Sequence, residues 1–101
     1  MAAITLSIDI GGSKIKACTL NKSGKILQEY TKVPTPQPAN PKNVLASIKE
    51  LVKDFKYDRV SAGFPGYVRD GIVHTAPNLG TGYWAGINLS EELMATLGKP
   101  A

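Results

Sequence analysis

Residues 3–33 read AITLSIDIGGSKIKACTLNKSGKILQEYTKV, and the spacing of apolar residues in this stretch decides the fold class. Ile4, Leu6, Ile8 and Ile10 alternate with Thr5, Ser7 and Asp9, a period of two that predicts a strand with one apolar and one polar side. Gly11-Gly12 and the turn 21–24 interrupt the chain ahead of IKACTL (15–20) and KILQEYTKV (25–33). Three short strands separated by hairpin-length breaks predict an antiparallel meander.

Beyond it, PTPQPANP (34–41) holds four prolines in eight positions, which predicts an extended, semi-rigid connector. The period then changes. Asn40 is placed as an N-cap and Pro41 as the first helical residue, and Val44, Leu45, Ile48, Leu51, Val52 and Phe55 recur on one helix face. DRVSAG (58–63) predicts a buried strand running into the turn GFPG, and Asp70-Gly71 a two-residue hairpin. APNLGTGYWAGINL (76–89) lacks either period and reads as a loop. SEELMATLG predicts a last helix capped by Ser90, with Leu93, Met94 and Leu97 on one face and Gly98 as its stop. The order β-β-β-α-β-(ββ)-α implies an α/β fold with a mixed sheet, because a strand after a crossover helix normally returns parallel. A helix followed by Gly98 and Pro100 is the usual prelude to one more strand, and the chain stops at Ala101.

With 101 residues, 43% apolar and 20% charged, the chain fits one globular domain and neither a disordered nor a collagenous class. No run approaches the roughly 18 apolar residues of a membrane span, and AAITLSIDIGG lacks the basic flank of a signal peptide. A cytoplasmic protein with no membrane partner is expected. The single Cys18 excludes an internal disulfide and has no neighbours with which to share a zinc ion. The net charge of +4 is gathered in residues 1–60, where ten Lys or Arg face five Asp or Glu. These are mostly separated lysines without interleaved aromatics, which argues against nucleic acid and suits a small polyanion.

Three segments carry the candidate chemistry. In DIGGSKIK (9–16), Gly11 and Gly12 let backbone N–H groups converge on a phosphate, Ser13 donates, Lys14 or Lys16 neutralises charge, and Asp9 holds Mg²⁺ through its water shell. The same Gly-Gly also reads as a plain tight turn, and the GxxxxGK spacing of a Walker loop is absent. GFPG (63–66) is a rigid turn at a strand end, where ligands of α/β sheets bind. In TAPNLGTGYW (75–84), the Asn78 amide both donates and accepts, as a sugar hydroxyl requires, and Tyr83 or Trp84 is a candidate to pack on a pyranose face. His74 reads as structural. Asp54, Asp58, Glu50, Glu91 and Glu92 read as solvated helix-surface charges, Asp70 is used by its turn, and no catalytic triad assembles.

Taken together, IDIGGSKIKA, PTPQPANP, GFPGYVRDGIVHTAPNLGTGYW and LGKP resemble, in order and approximate spacing, the N-terminal lobe of ROK-family sugar kinases, and most nearly the polyphosphate-dependent glucokinases within that family. The resemblance spans essentially the whole chain. It implies a ribonuclease-H-like, actin-type ATPase lobe over residues 1–101, truncated before its last strand and without the C-terminal lobe. It also implies phosphoryl transfer from polyphosphate or ATP, with Mg²⁺, to the 6-hydroxyl of glucose or a close hexose. Asp9, Gly11, Gly12, Ser13, Lys14 and Lys16 match the family's phosphate-binding loop, and Pro65, Gly66 and Asn78 its sugar side. The family's general base is the Asp of an Asn-Asp-Ala motif on the strand after GKP, so the resemblance leaves this chain with no catalytic base and inactive alone. A non-catalytic phosphate- or sugar-binding domain of the same type is the other reading. A ROK-type repressor is disfavoured, since Met1 leaves no room for DNA-binding helices ahead of the first strand. An open sheet edge or the bare face of the last helix is expected to be covered by a neighbouring copy, giving a homo-oligomer.

Overall fold

The computed structural model describes residues 3–101; the parts of the leader and repressor arguments that rest on Met1 and Ala2 lie outside them. The alternation read at the start of the chain becomes β1 (Thr5–Ile10), followed by β2 (Lys14–Leu20) and β3 (Ile26–Pro34) as an antiparallel meander. Leu6, Ile8 and Ile10 are buried on one side, whereas Asp9 is exposed on the other.

The helix α1 (Pro41–Leu51) begins as its sequence dictates. Asn40 is its N-cap, accepting from the Asn43 N–H at 2.9 Å, and Pro41 occupies the first turn. Val44, Leu45, Ile48 and Val52 close over the apolar face of the sheet, each such side chain contributing about 1.5–3 kcal/mol relative to exposure. The chain returns as β4 (Arg59–Gly63), parallel to β1, so the sheet order is β3-β2-β1-β4. Asp58 is not simply a solvated charge. Its carboxylate accepts the Ile4 N–H at 2.8 Å and its own N–H donates to the Ile4 carbonyl, tying the starts of β1 and β4 together.

A separate hairpin, β5 (Val68–Arg69) and β6 (Ile72–Val73), turns at Asp70-Gly71, where both residues have positive φ. The segment read as an irregular loop contains a short helix, α2 (Thr81–Trp84), whose last residue is fully buried. The last helix, α3 (Leu89–Leu97), starts earlier than its sequence suggests. Asn88, not Ser90, caps it by accepting the Glu91 N–H at 3.0 Å, so Leu89 and Leu93 point into the core and Met94 is exposed. Gly98 ends the helix in the left-handed region, as expected. The Cα radius of gyration, 13.0 Å, equals the roughly 13 Å of a folded unit of about 100 residues. No helix among the described residues is long and apolar enough to cross a membrane.

Trp84 pins three segments at once. Its ring lies 5.0 Å from that of Phe64, and its indole N–H donates to the Ala39 carbonyl at 2.7 Å, at the end of the proline-rich connector. Trp84→Phe keeps most of the volume but leaves that buried carbonyl without its donor. A loss of about 1–3 kcal/mol in unfolding free energy is expected by urea titration followed by circular dichroism.

Candidate functional site

The turn between β1 and β2 bears on both readings of Gly11-Gly12. It is tight, with the Gly11 N–H donating to the Lys14 carbonyl at 3.0 Å. It also has its carbonyls taken from behind: the buried Thr35 donates its hydroxyl to the Gly11 carbonyl at 2.6 Å and its N–H to the Ser13 carbonyl at 2.9 Å. The N–H groups of Gly12 and Ser13 have no acceptor among the described residues. A turn whose carbonyls are held inward while adjacent N–H groups remain free is a concavity suited to an anion. Sequence reasoning placed Thr35 only in the connector; its role as the clamp behind the loop appears once the chain is folded.

Gly12 touches the second candidate segment. A Cβ built on it would lie 2.9 Å from the Asn78 Cβ, inside any normal contact distance. Asn78 sits in the turn closed by the N–H groups of Leu79 and Gly80, which both donate to the Ala76 carbonyl. Its own exposed amide makes no hydrogen bond among the described residues, so it is not used up on local backbone. The GFPG turn is strapped to the start of the same segment. Tyr67 N–H donates to the Thr75 hydroxyl, His74 N–H donates to the Tyr67 carbonyl, and a Cβ on Gly66 would meet the Thr75 carbonyl oxygen at 1.9 Å. Pro65 and Gly66 are thereby held against the strand end that leads through Ala76 to Asn78. The exposed His74 ring lies 5.2 Å from that of Tyr67. The aromatic pair separates: Trp84 is core and cannot face a ligand, whereas Tyr83 is exposed.

The third part is the polar face of the sheet. Cross-strand register sets Asp9 opposite Lys16 and Lys16 opposite Lys32, and Gly63 lies beside Asp9, with a would-be Cβ 3.6 Å from its Oδ1. Lys14 starts β2 on the same face. The ion pairs among the described residues, Lys53–Glu50 and Arg69–Asp70, involve none of these groups. No trio of His, Cys, Asp or Glu side chains gathers among the described residues, and with Lys16 and Gly63 as its cross-strand partners Asp9 brings its own carboxylate alone to that rung of the sheet. That donor set fits Mg²⁺, which keeps several waters and takes one carboxylate plus phosphate oxygens.

A cleft of about 430 Å³ is lined by Asp9, Lys16, Tyr30 and Lys32. Tyr30 and Lys32 were not singled out in the sequence, although the alternation along β3 places them together on one face. The Tyr30 phenol is held above its ordinary pKa, first by its interaction with the neighbouring Cys18 thiol, then by desolvation and Asp9.

The sequence model of the ROK family matches residues 5–101. A polyphosphate glucokinase of Mycobacterium tuberculosis is 37% identical over 93 residues, covering 90% of this chain and 35% of that protein. A glucokinase of Streptomyces coelicolor is 33% identical over 103 residues, covering 96% of this chain and 31% of that protein. Among solved structures, the inorganic polyphosphate/ATP-glucomannokinase of Arthrobacter sp. strain KM superposes with a TM-score of 0.87 at 36% identity, over 97% of this chain and 42% of the other. A glucokinase from Streptomyces griseus, in complex with glucose and AMPPNP, superposes with a TM-score of 0.80 at 30% identity, over 96% and 31%. The chain spans about a third of the length of the curated relatives it matches.

The contact between the two loops is testable by a double-mutant cycle. Gly12→Ala is expected to destabilise the fold by forcing its Cβ onto that of Asn78, and Asn78→Gly to relieve it. The interaction energy should fall within about 0.5–3 kcal/mol, read from urea midpoints of the four proteins. Additive effects would show that the loops do not touch.

Proposed function

The chain belongs to the ROK family, and on that premise we propose that it is the N-terminal lobe, ribonuclease-H-like and actin-type, of a hexose kinase. The reaction is transfer of a phosphoryl group from polyphosphate or ATP to the 6-hydroxyl of glucose or a close hexose. The observation that carries the reading is the approach of Gly12 to Asn78. Phosphoryl transfer is a matter of placing donor and acceptor in line and neutralising charge, and here the anion-binding turn and the free amide are packed against each other.

In this reading the N–H groups of Gly12 and Ser13, the Ser13 hydroxyl and the ammonium groups of Lys14 and Lys16 bind the donor phosphates. Gly11 supplies the turn and Thr35 keeps it in shape. Asp9 would hold Mg²⁺, which supplies charge neutralisation on the phosphate oxygens. Asn78, backed by Pro65 and Gly66, orients the sugar. Transfer forms a bond between the sugar oxygen and phosphorus and breaks the bond from phosphorus to the donor oxygen, while the hydroxyl proton must leave to a base. Asp9 serves the phosphate side, and its partners across the strands, Lys16 and Gly63, bring no second carboxylate.

We place the base on a further strand of the parent enzyme, added parallel to β4. The Val60 N–H donates to the Pro100 carbonyl at 2.8 Å, one rung of such a ladder. Beyond it lies a groove of about 490 Å³ whose walls include Val60, Ala62, Phe64, Leu89 and Leu93. Self-association of the 101-residue chain through this edge is the expected alternative filling.

The relatives support the substrates, one being named a polyphosphate glucokinase and another solved with glucose and AMPPNP. Calorimetry should show saturable glucose binding that Asn78→Ala weakens at least about tenfold, the scale of losing hydrogen bonds to a buried hydroxyl. With glucose, Mg²⁺ and either donor, the isolated chain should not turn over at enzyme-like rates. Turnover at such rates would overturn the placement of the base outside residues 1–101.

A further inference from the structure

Two clefts on the polar face of the sheet meet at a single side chain. The larger is lined by Asp9, Lys16, Tyr30 and Lys32; the smaller, of about 240 Å³, by Ser13, Lys14, Lys32, Val33 and Pro34. Lys32 belongs to both, and the smaller cleft opens on the anion-binding turn itself. The register pairs Lys16 with Lys32 and Lys14 with Pro34, so the three lysines are rooted within about 8 Å of one another.

That arrangement costs stability. Like charges directly opposite each other in a sheet repel, and whereas Lys16 faces Asp9 on its other side and Lys14 faces Pro34, the residue across from Lys32 is another lysine. An anion running between the clefts would remove the repulsion. Tyr30, exposed beside Lys32, lines the larger cleft with it and adds a phenol to that face. A nucleoside triphosphate ends its charge after three phosphates, whereas a linear polyphosphate continues past the turn and over this face.

We propose that Lys32, with Tyr30, extends the phosphate loop into a track for linear polyphosphate, and that Lys32 sets a preference for chains longer than a triphosphate. The inference rests on the donor-site reading of residues 9–16.

The test titrates the 101-residue chain by calorimetry with inorganic tripolyphosphate and with a polyphosphate of several tens of units. Lys32→Ala should weaken long-chain binding about tenfold, the scale of one charge-assisted hydrogen bond, and lower the slope of log affinity against log salt by about one. Tripolyphosphate binding should change less than about twofold, and Lys32→Arg should restore the long-chain affinity. An equal loss in Lys49→Ala, on the exposed side of α1, would reduce the effect to net charge and overturn the track. So would an equal loss for tripolyphosphate, or equally tight binding of a single-stranded oligonucleotide of matching charge. Gly12→Val, or Lys14→Ala if the valine unfolds the chain, tests the underlying reading. Loss there with none in Lys32→Ala overturns the track alone; no loss there overturns the loop assignment; no binding by the unaltered chain overturns both.

Discussion

The constraint on which the structure depends is the double duty of β1. Leu6, Ile8 and Ile10 on one side form the floor on which α1 closes, and Asp9 on the other side is the carboxylate of the candidate site. Because side chains alternate strictly along a strand, a slip of one residue would bury Asp9 and expose three aliphatic side chains. The pairing of β1 with β2 on one edge and β4 on the other, anchored at its start by Asp58 and Ile4, prevents that slip. The position of the carboxylate is therefore fixed by hydrophobic burial on the opposite face of the sheet.

From that strand the site is assembled by contacts remote in sequence. Thr35 reaches back over more than twenty residues to hold the carbonyls of Gly11 and Ser13, and Trp84 holds the far end of the same connector through Ala39. The connector thus acts as a brace between the glycine turn and the segment that carries Asn78. A rigid, proline-rich segment suits that task, since little conformational entropy remains to be lost when it docks. The lysine-rich face is the least committed part of the molecule. Its charges are exposed and make no ion pair among the described residues.

Much of this was legible in advance, and the misreadings have a common cause. The meander, the capped helix α1, the Asp70-Gly71 hairpin and the stop at Gly98 are local signals: a period, a cap, a turn residue. Asn88 displaced Ser90 as the cap of α3 because the core chose Leu89 and Leu93 as the inward pair, which rotates the helix relative to the Leu93-Met94-Leu97 face. Trp84 was a candidate for sugar stacking, and burial against Phe64 with a bond to Ala39 made it a core residue; no local pattern distinguishes those two fates. Tyr30 and Lys32 went unnoticed because β3 is an irregularly paired edge strand, with register shifts between Ala17 and Leu20 of its partner β2, so its facing could not be counted from the turn.

By itself, then, the sequence determined most of the elements, their order and the glycine turn between β1 and β2, since each rests on interactions between residues only a few positions apart. Tertiary structure alone decided that Gly12 packs on Asn78, that Thr35 clamps the turn and that Lys32 joins Lys14 and Lys16 on one face. Those are choices of register and docking, made by the burial of aliphatic side chains far along the chain, and no local pattern carries them.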